Sequence, residues 1–462
     1  MKISIVTAYP TEGAGSGTLI TAQAKTYLKL GHEVNIITAN NNDKFKKIEG
    51  VNYYIVPFTG EKEPIQTLKN ALPFNFLMFT SHTNSTANFW NISLENLKKY
   101  CDKFIEIFAE HIKKVKPDIF HGQHCWISTS LLCDYGIPVV TTIHGTDLMG
   151  YKRTLKEIEK IDNLIKENGK NKEILEEKEK YEFYKASAEK AARMSKKIFV
   201  ISHEQERLFK ELFPFAKDKV TLVRNGCDIN VYYNEKTQKN KVLENLNSNI
   251  TIDKKLPKKY DKIVLFVGKF AQFKRVDLVL KAAKIYEEEM LKKKINVMTI
   301  IAGAGALDNE LRKLQKELNL QNTHFIGKID SDTVRHLQNI SNVFVAPSDN
   351  EPDGLVYKEA MLCGNIPIGT LGGGVPDTID PYKNKTRIKD ELDIFKTDFG
   401  MLINMNNENA LAKAVEYVLE NEDKFDRKQI IQYALENYNQ ENISKNIILP
   451  CFESIRNLEN KF

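Results

Sequence analysis

Short apolar runs rich in β-branched residues recur along this chain, each followed by a polar or glycine-bearing turn and then a helix-spaced segment. That alternation restricts the fold more than anything else in the sequence. One series occupies residues 3–8, 34–38, 117–121, 137–143, 196–202 and 220–224; a second occupies 262–268, 296–302, 323–327, 342–346 and 366–369. Runs without polar alternation suit strands covered on both faces, so the expected fold is α/β, with two doubly wound parallel-sheet domains facing across a cleft. The stretch 233–260 is polar without a sustained apolar face and reads as the linker between domains at 1–232 and 261–439. A length of 462 residues fits two or three domains.

Composition removes several function classes. Lys plus Arg is 67 against 61 for Asp plus Glu, a net charge of +6, which is a poor footprint for nucleic acid. No apolar run reaches the roughly 18 residues of a membrane span. The six cysteines are scattered without a C-x-x-C pair, as in a reduced, cytoplasmic protein; contact with an anionic inner membrane face stays open. His121, His124 and Cys125 read as incidental residues at a strand end, because no second ligand cluster stands at zinc spacing. No metal is expected.

The first run leads into Tyr9-Pro10-Thr11-Glu12-Gly13-Ala14-Gly15-Ser16-Gly17 and then a helical pattern, the phosphate-binding start of a Rossmann-like unit, with Gly15 and Gly17 toward the ligand. The full dinucleotide fingerprint is missing, which disfavours an NAD-type oxidoreductase. Residues 60–95 are rich in aromatics, including Phe74, Phe76, Phe79, Phe89 and Trp90, and read as an insertion packed on its own domain. Residues 151–190, dominated by Lys and Glu, read as solvated helices turning at Asn168-Gly169. Asp330-Ser331-Asp332 reads as a helix cap rather than a metal motif.

The densest chemistry lies in Asn350-Glu351-Pro352-Asp353-Gly354-Leu355-Val356-Tyr357-Lys358-Glu359-Ala360-Met361. It follows a buried run and passes into helical spacing, so Glu351 falls in a loop and Glu359 about one turn into a helix. Gly354 stands where backbone N–H groups of Leu355 and Val356 approach an anion at the positive helix end. Ionised carboxylates accept pairs of hydroxyl donors, so the segment suits a phosphorylated, hydroxyl-rich ligand.

With Gly372-Gly373-Gly374 downstream, this block resembles the E-x7-E block of the retaining glycosyltransferases of family 4, which have the GT-B fold. The resemblance implies a nucleoside diphosphate sugar as co-substrate, with UDP-linked hexose the commonest choice. It also implies no essential cofactor or metal, a lipid, saccharide or small-molecule acceptor, and a final helix, about 440–462, crossing back to the first domain. Thr142-Ile143-His144-Gly145-Thr146-Asp147 resembles the family's H-G-x-D segment, so His144 is implied to meet the transferred sugar, with Asp147 orienting it or the acceptor. Lys269 to Asp277 resembles the diphosphate-binding loop. Lys274 matches the family's lysine, Lys269 stands where an arginine is usual, and Arg275 replaces a glycine. The loop after Gly327, through Ile329, is implied to read the nucleobase by its backbone. Arg224 and Asn225 precede a turn resembling N-G-x-D, with Arg224 a candidate on the acceptor side. None of these residues supplies a nucleophile, so the implied route is front-face substitution. A sugar-nucleotide-binding module with a decayed site is the alternative, suggested by Lys269 alone; a phosphorylase would need a pyridoxal lysine, which Lys358 does not sufficiently indicate.

Overall fold

A computed structural model of the chain describes residues 1–12, 15–42, 44–61, 68–80, 85–249, 255–257, 259–388 and 392–459. Gly13 and Ala14 of the glycine loop, and parts of the 60–95, 233–260 and C-terminal segments, lie outside the described residues. Two compact units are present: Met1–Arg224 with Glu441–Phe462, and Asn225–Gln440.

Among the described residues the first unit holds seven strands: β1 (Lys2–Thr7), β2 (Glu33–Asn40), β3 (Asn52–Pro57), β4 (Ile119–Gln123), β5 (Val139–Thr142), β6 (Lys197–Val200) and β7 (Val220–Leu222). Their order in the sheet is β3-β2-β1-β4-β5-β6-β7, and every pairing is parallel. Chain order reverses between β1 and β4, and the crevice outside such a switch point is where open α/β sheets bind ligands. β1, β4 and β5 are buried throughout except at Lys2, which is why they show no alternation of apolar and charged residues.

The aromatic segment packs inward: Phe76, Phe79 and Phe89 join the core with Tyr100, Trp126 and Tyr184. Helices Thr146–Asn168 and Lys172–Met194 form the hairpin, with Gly169 ending the first. Most of their Lys and Glu cover the outer side, for Tyr181, Tyr184, Ala188, Ala191 and Ala192 are buried, and with them Lys180, whose ammonium donates to Trp90 O at 3.1 Å. The C-terminal segment packs on this unit, where Phe452 meets the rings of Tyr27, His121 and Phe199.

The second unit has β8 (Lys262–Val267), β9 (Val297–Ala302), β10 (Thr323–Gly327), β11 (Val343–Val345), β12 (Ile366–Thr370), β13 (Thr386–Arg387), β14 (Ile394–Lys396) and β15 (Met401–Ile403). The order is β10-β9-β8-β11-β12-β15-β14-β13, with the switch between β8 and β11. The sheet is mixed, not wholly parallel: β14 runs antiparallel to both β13 and β15. Those three strands are only two or three residues long, too short to register as periodic runs.

The unit boundary differs from the expected one. Unit two begins at Asn225, and within the expected linker the helix Lys239–Asn249 sends Val242, Leu243 and Leu246 into the core of that unit. Three apolar residues in an otherwise polar stretch are enough to dock one turn-and-a-half of helix, yet too few to raise a periodic signal. Side-chain caps start several helices: Ser93, Asn171, Ser202, Asp330 and Asn407 each accept a backbone N–H, worth about 1 kcal/mol apiece. Asp330 thus serves as the cap of Ser331–Ile340.

Candidate functional site

In the second unit the loops after β8 and β11, the two strands at the switch point, bring the charged residues together. Lys274 forms an ion pair with Glu351, with side chains only 16% and 14% exposed. The loops are joined through their backbones, Asp349 N–H donating to Phe273 O at 2.7 Å. Gly354 then takes φ +72°, and the helix Leu355–Leu362 starts behind it. A side chain there would be strained in φ, and its Cβ would lie 2.5 Å from the Tyr357 ring. Leu355 and Val356 occupy the first turn, whose N–H groups have no carbonyl one turn back and so are available to an anion.

Glu359, one turn in, is 7% exposed. Burial pushes its carboxyl up to about 7, against the pull of the Tyr232 hydroxyl hydrogen bond and of the Lys274 charge. Glycines support the loop from below: Gly374 N–H donates to Glu351 O at 2.8 Å, and a Cβ on Gly373 would sit 2.2 Å from that oxygen. Lys269 is half-buried, and burial holds its ammonium below its ordinary value. Gly327, at φ +71°, ends β10, and Ile329 packs its side chain on the core, leaving the backbone of this turn as its polar face.

Arg275 lies next to this cluster. Its fork is closed on Asp277, Nε and Nη2 reaching the two carboxylate oxygens at 3.0 and 2.9 Å, with Asp349 at 3.6 Å. The i, i+2 carboxylate holds the guanidinium locally. Lys358 is fully buried and held by Asp353.

In the first unit the ends of β4 and β5 carry the imidazoles. His144 Nε2 lies 2.7 Å from Gln123 Oε1, and its ring centroid is 4.6 Å from that of His124. Burial, with His124 next to it, holds His144 below the usual histidine range, so the ring is neutral at pH 7. Asp147 is 1% exposed. Its oxygens accept from Cys125 N at 2.9 Å and His144 N at 3.2 Å, so it fixes the backbone of both strand ends. Gly15 and Gly17 lie inside the helix Gly15–Lys29 rather than in the loop before it. Gly17 is required by close approach, since its Cβ would meet Thr11 O at 2.4 Å. Arg224 ends the unit partly buried, its Nε without a hydrogen-bond partner.

No local pattern in the sequence singles out His124, Gln123 or Tyr9 as site residues. His124 has φ +76°, follows β4 at the switch point, and packs edge-on against Tyr9 at 4.9 Å. The available signal was its place after a strand that turns out to be central. Among the described residues no group of three or more His, Cys, Asp or Glu is placed to hold a metal ion. No helix among them is long and apolar enough to cross a membrane.

Known proteins agree with this architecture. The family described as Glycosyltransferase Family 4 matches residues 13–231, and that described as Glycosyl transferases group 1 matches 248–437. An uncharacterized glycosyltransferase of Methanocaldococcus jannaschii is 24% identical, with 97% of each chain covered. Among solved structures, sucrose-phosphate synthase from Thermosynechococcus elongatus has a TM-score of 0.65 at 17% identity, with both chains covered completely. Anabaena HepE in complex with UDP and glucose has a TM-score of 0.61 at 14% identity, covering 98% of this chain and 99% of its own. Fold and matched families together place this chain among the GT-B glycosyltransferases.

Proposed function

We propose that the chain is a retaining glycosyltransferase that moves a hexose from a nucleoside diphosphate sugar, most simply a UDP-sugar, to an acceptor without an essential metal. The observation that carries this is the second unit's switch point, where Lys274 and Glu351 meet at the open start of a helix that holds Glu359 one turn in. A UDP-bound relative of the same fold supports the choice of donor.

Each side chain has a distinct task in this reading. Lys269, Lys274 and the N–H groups of Leu355 and Val356 hold the diphosphate and stabilise it as it leaves. Glu359 accepts from the ribose hydroxyls and Glu351 from those of the sugar, while the backbone after Gly327 meets the base. His144, neutral and braced by Gln123, contributes hydrogen bonding to the sugar. The leaving diphosphate takes the acceptor proton as the new bond forms on the same face, so no protein nucleophile is required. The acceptor is a lipid, a saccharide or a small molecule bound by the first unit.

A panel of nucleotide sugars tests the reading in two ways, by thermal shift and by release of nucleoside diphosphate. One nucleotide class is expected to stabilise the protein and to be released from its sugar, with the anomeric configuration kept in the product. A chain that no nucleoside diphosphate stabilises, or that instead enhances the fluorescence of reduced nicotinamide, would overturn it.

A further inference from the structure

Asp353 and Lys358 flank the turn at Gly354, two residues after Glu351 and one before Glu359, and they form an ion pair inside the second unit. Lys358 is fully buried and Asp353 only 5% exposed. Lys358 Nζ also donates to Asn225 O at 3.0 Å and lies 5.0 Å from the centre of the Tyr438 ring. Asn225 is the residue at which this unit begins, and Tyr438 lies two before its end. Those two segments are bonded to each other: Cys227 N–H donates to Tyr438 O at 2.7 Å, Gln440 N–H to Cys227 O at 3.1 Å, and Gly226 N–H to Gln440 Oε1 at 3.1 Å.

A pair of apolar side chains would fill this space with no charge to desolvate, and buried ion pairs often stabilise no more than such a replacement. What they supply instead is direction, because an ammonium bonded to a carboxylate and a carbonyl has few orientations. We propose that Asp353 and Lys358 are positioning residues: their pair sets Glu351 and Glu359 relative to each other and anchors both to the joined segments at Asn225 and Tyr438. This inference rests on the proposed function.

The test uses the full chain and whichever donor the wild-type protein cleaves, read as nucleoside diphosphate release. In the double variant Asp353→Leu with Lys358→Met no buried charge is stranded. Its melting temperature is expected to stay near that of the wild type while kcat/KM for the donor falls roughly tenfold or more. A double variant that keeps kcat/KM within about threefold, whatever its melting temperature, makes the pair merely structural and overturns the proposal. Should that variant fail to fold, Lys358→Gln decides, as a neutral side chain that still donates. Measured well below its own melting temperature, a tenfold loss of kcat/KM supports positioning and an unchanged value refutes it. A wild-type chain that cleaves no donor refutes the function itself, and the proposal with it, which variants failing beside an active wild type do not.

Discussion

At the switch-point end of the first sheet the polar side chains grouped around His144 are neutral: His124, Gln123 and the phenol of Tyr9, with the neighbouring carboxylate, Asp147, spent on backbone amides. At the same end of the second sheet they are charged: Lys269, Lys274, Glu351 and Glu359, beside a helix start. Two sheets wound alike therefore offer opposite chemistries. A charged end can hold a diphosphate and answer its departure. A neutral end can only direct hydroxyls, which is what a sugar and its acceptor present.

The largest expected effect tests whether the charged end performs chemistry as well as binding. Glu351→Gln keeps the shape of the loop but strands Lys274 and weakens the hold on the sugar. Loss of a charged partner costs about 1.5–3 kcal/mol, so turnover is expected to fall roughly 10- to 150-fold with the donor KM little altered. An unaltered kcat in steady-state assays would reduce Glu351 to a structural partner of Lys274. Next comes Glu359→Ala, which removes a ground-state contact. The donor KM should rise about tenfold or more at near-constant kcat, and a fall in kcat alone would contradict the ribose assignment.

The neutral end gives a smaller and cleaner contrast. His144→Asn keeps a hydrogen-bonding side chain but moves its polar atoms, so transfer should drop about tenfold while the affinity for free UDP, followed by calorimetry, stays at the wild-type value. Weakened UDP binding in that variant would break the division of labour between the two units.

The two ends were also unequally legible. The charged block is contiguous: nine residues from Glu351 to Glu359 pass through a loop, a positive-φ glycine and a helix start, so spacing alone places both carboxylates. The neutral end is assembled from residues far apart in the chain. His124 matters because β4 pairs with β1 and brings it against Tyr9, a strand order that no local pattern encodes. For the same reason Tyr232, which bonds Glu359, passed as an ordinary residue at the end of the expected first domain. Asp353 and Lys358 stand five apart across a turn, which is not a helical neighbour spacing, so their pairing was invisible until the turn was known. Arg275 shows the same limit, because its pairing with Asp277, two positions on, depends on a turn that spacing does not reveal.

The smallest expected effect concerns pH and separates the charged end into its parts. Burial raises the Glu359 carboxyl from 4.5 to about 7, so the free protein carries much of it protonated below neutrality. A proton bound more tightly in the folded chain than in the unfolded one stabilises the fold at low pH. That contribution is lost as pH rises from about 4.5 through 7. Only the ionised carboxylate accepts two ribose hydroxyls, so binding a UDP-sugar draws its pKa down, and affinity must grow as pH rises toward 7. Its diphosphate has no ionisation of its own in this range, which keeps the titration clean. Lys269 acts with the opposite sign, since burial already holds its ammonium low and deprotonation at higher pH weakens the hold on the diphosphate. The affinity profile should therefore have an acid limb of about threefold or more between pH 6 and 7.5 that disappears in Glu359→Gln, and an alkaline limb that survives there. Calorimetric titrations across pH on the two proteins decide it. An acid limb that persists without the Glu359 carboxyl would show that another group couples the donor to protons, and the charged end would have to be redrawn around it.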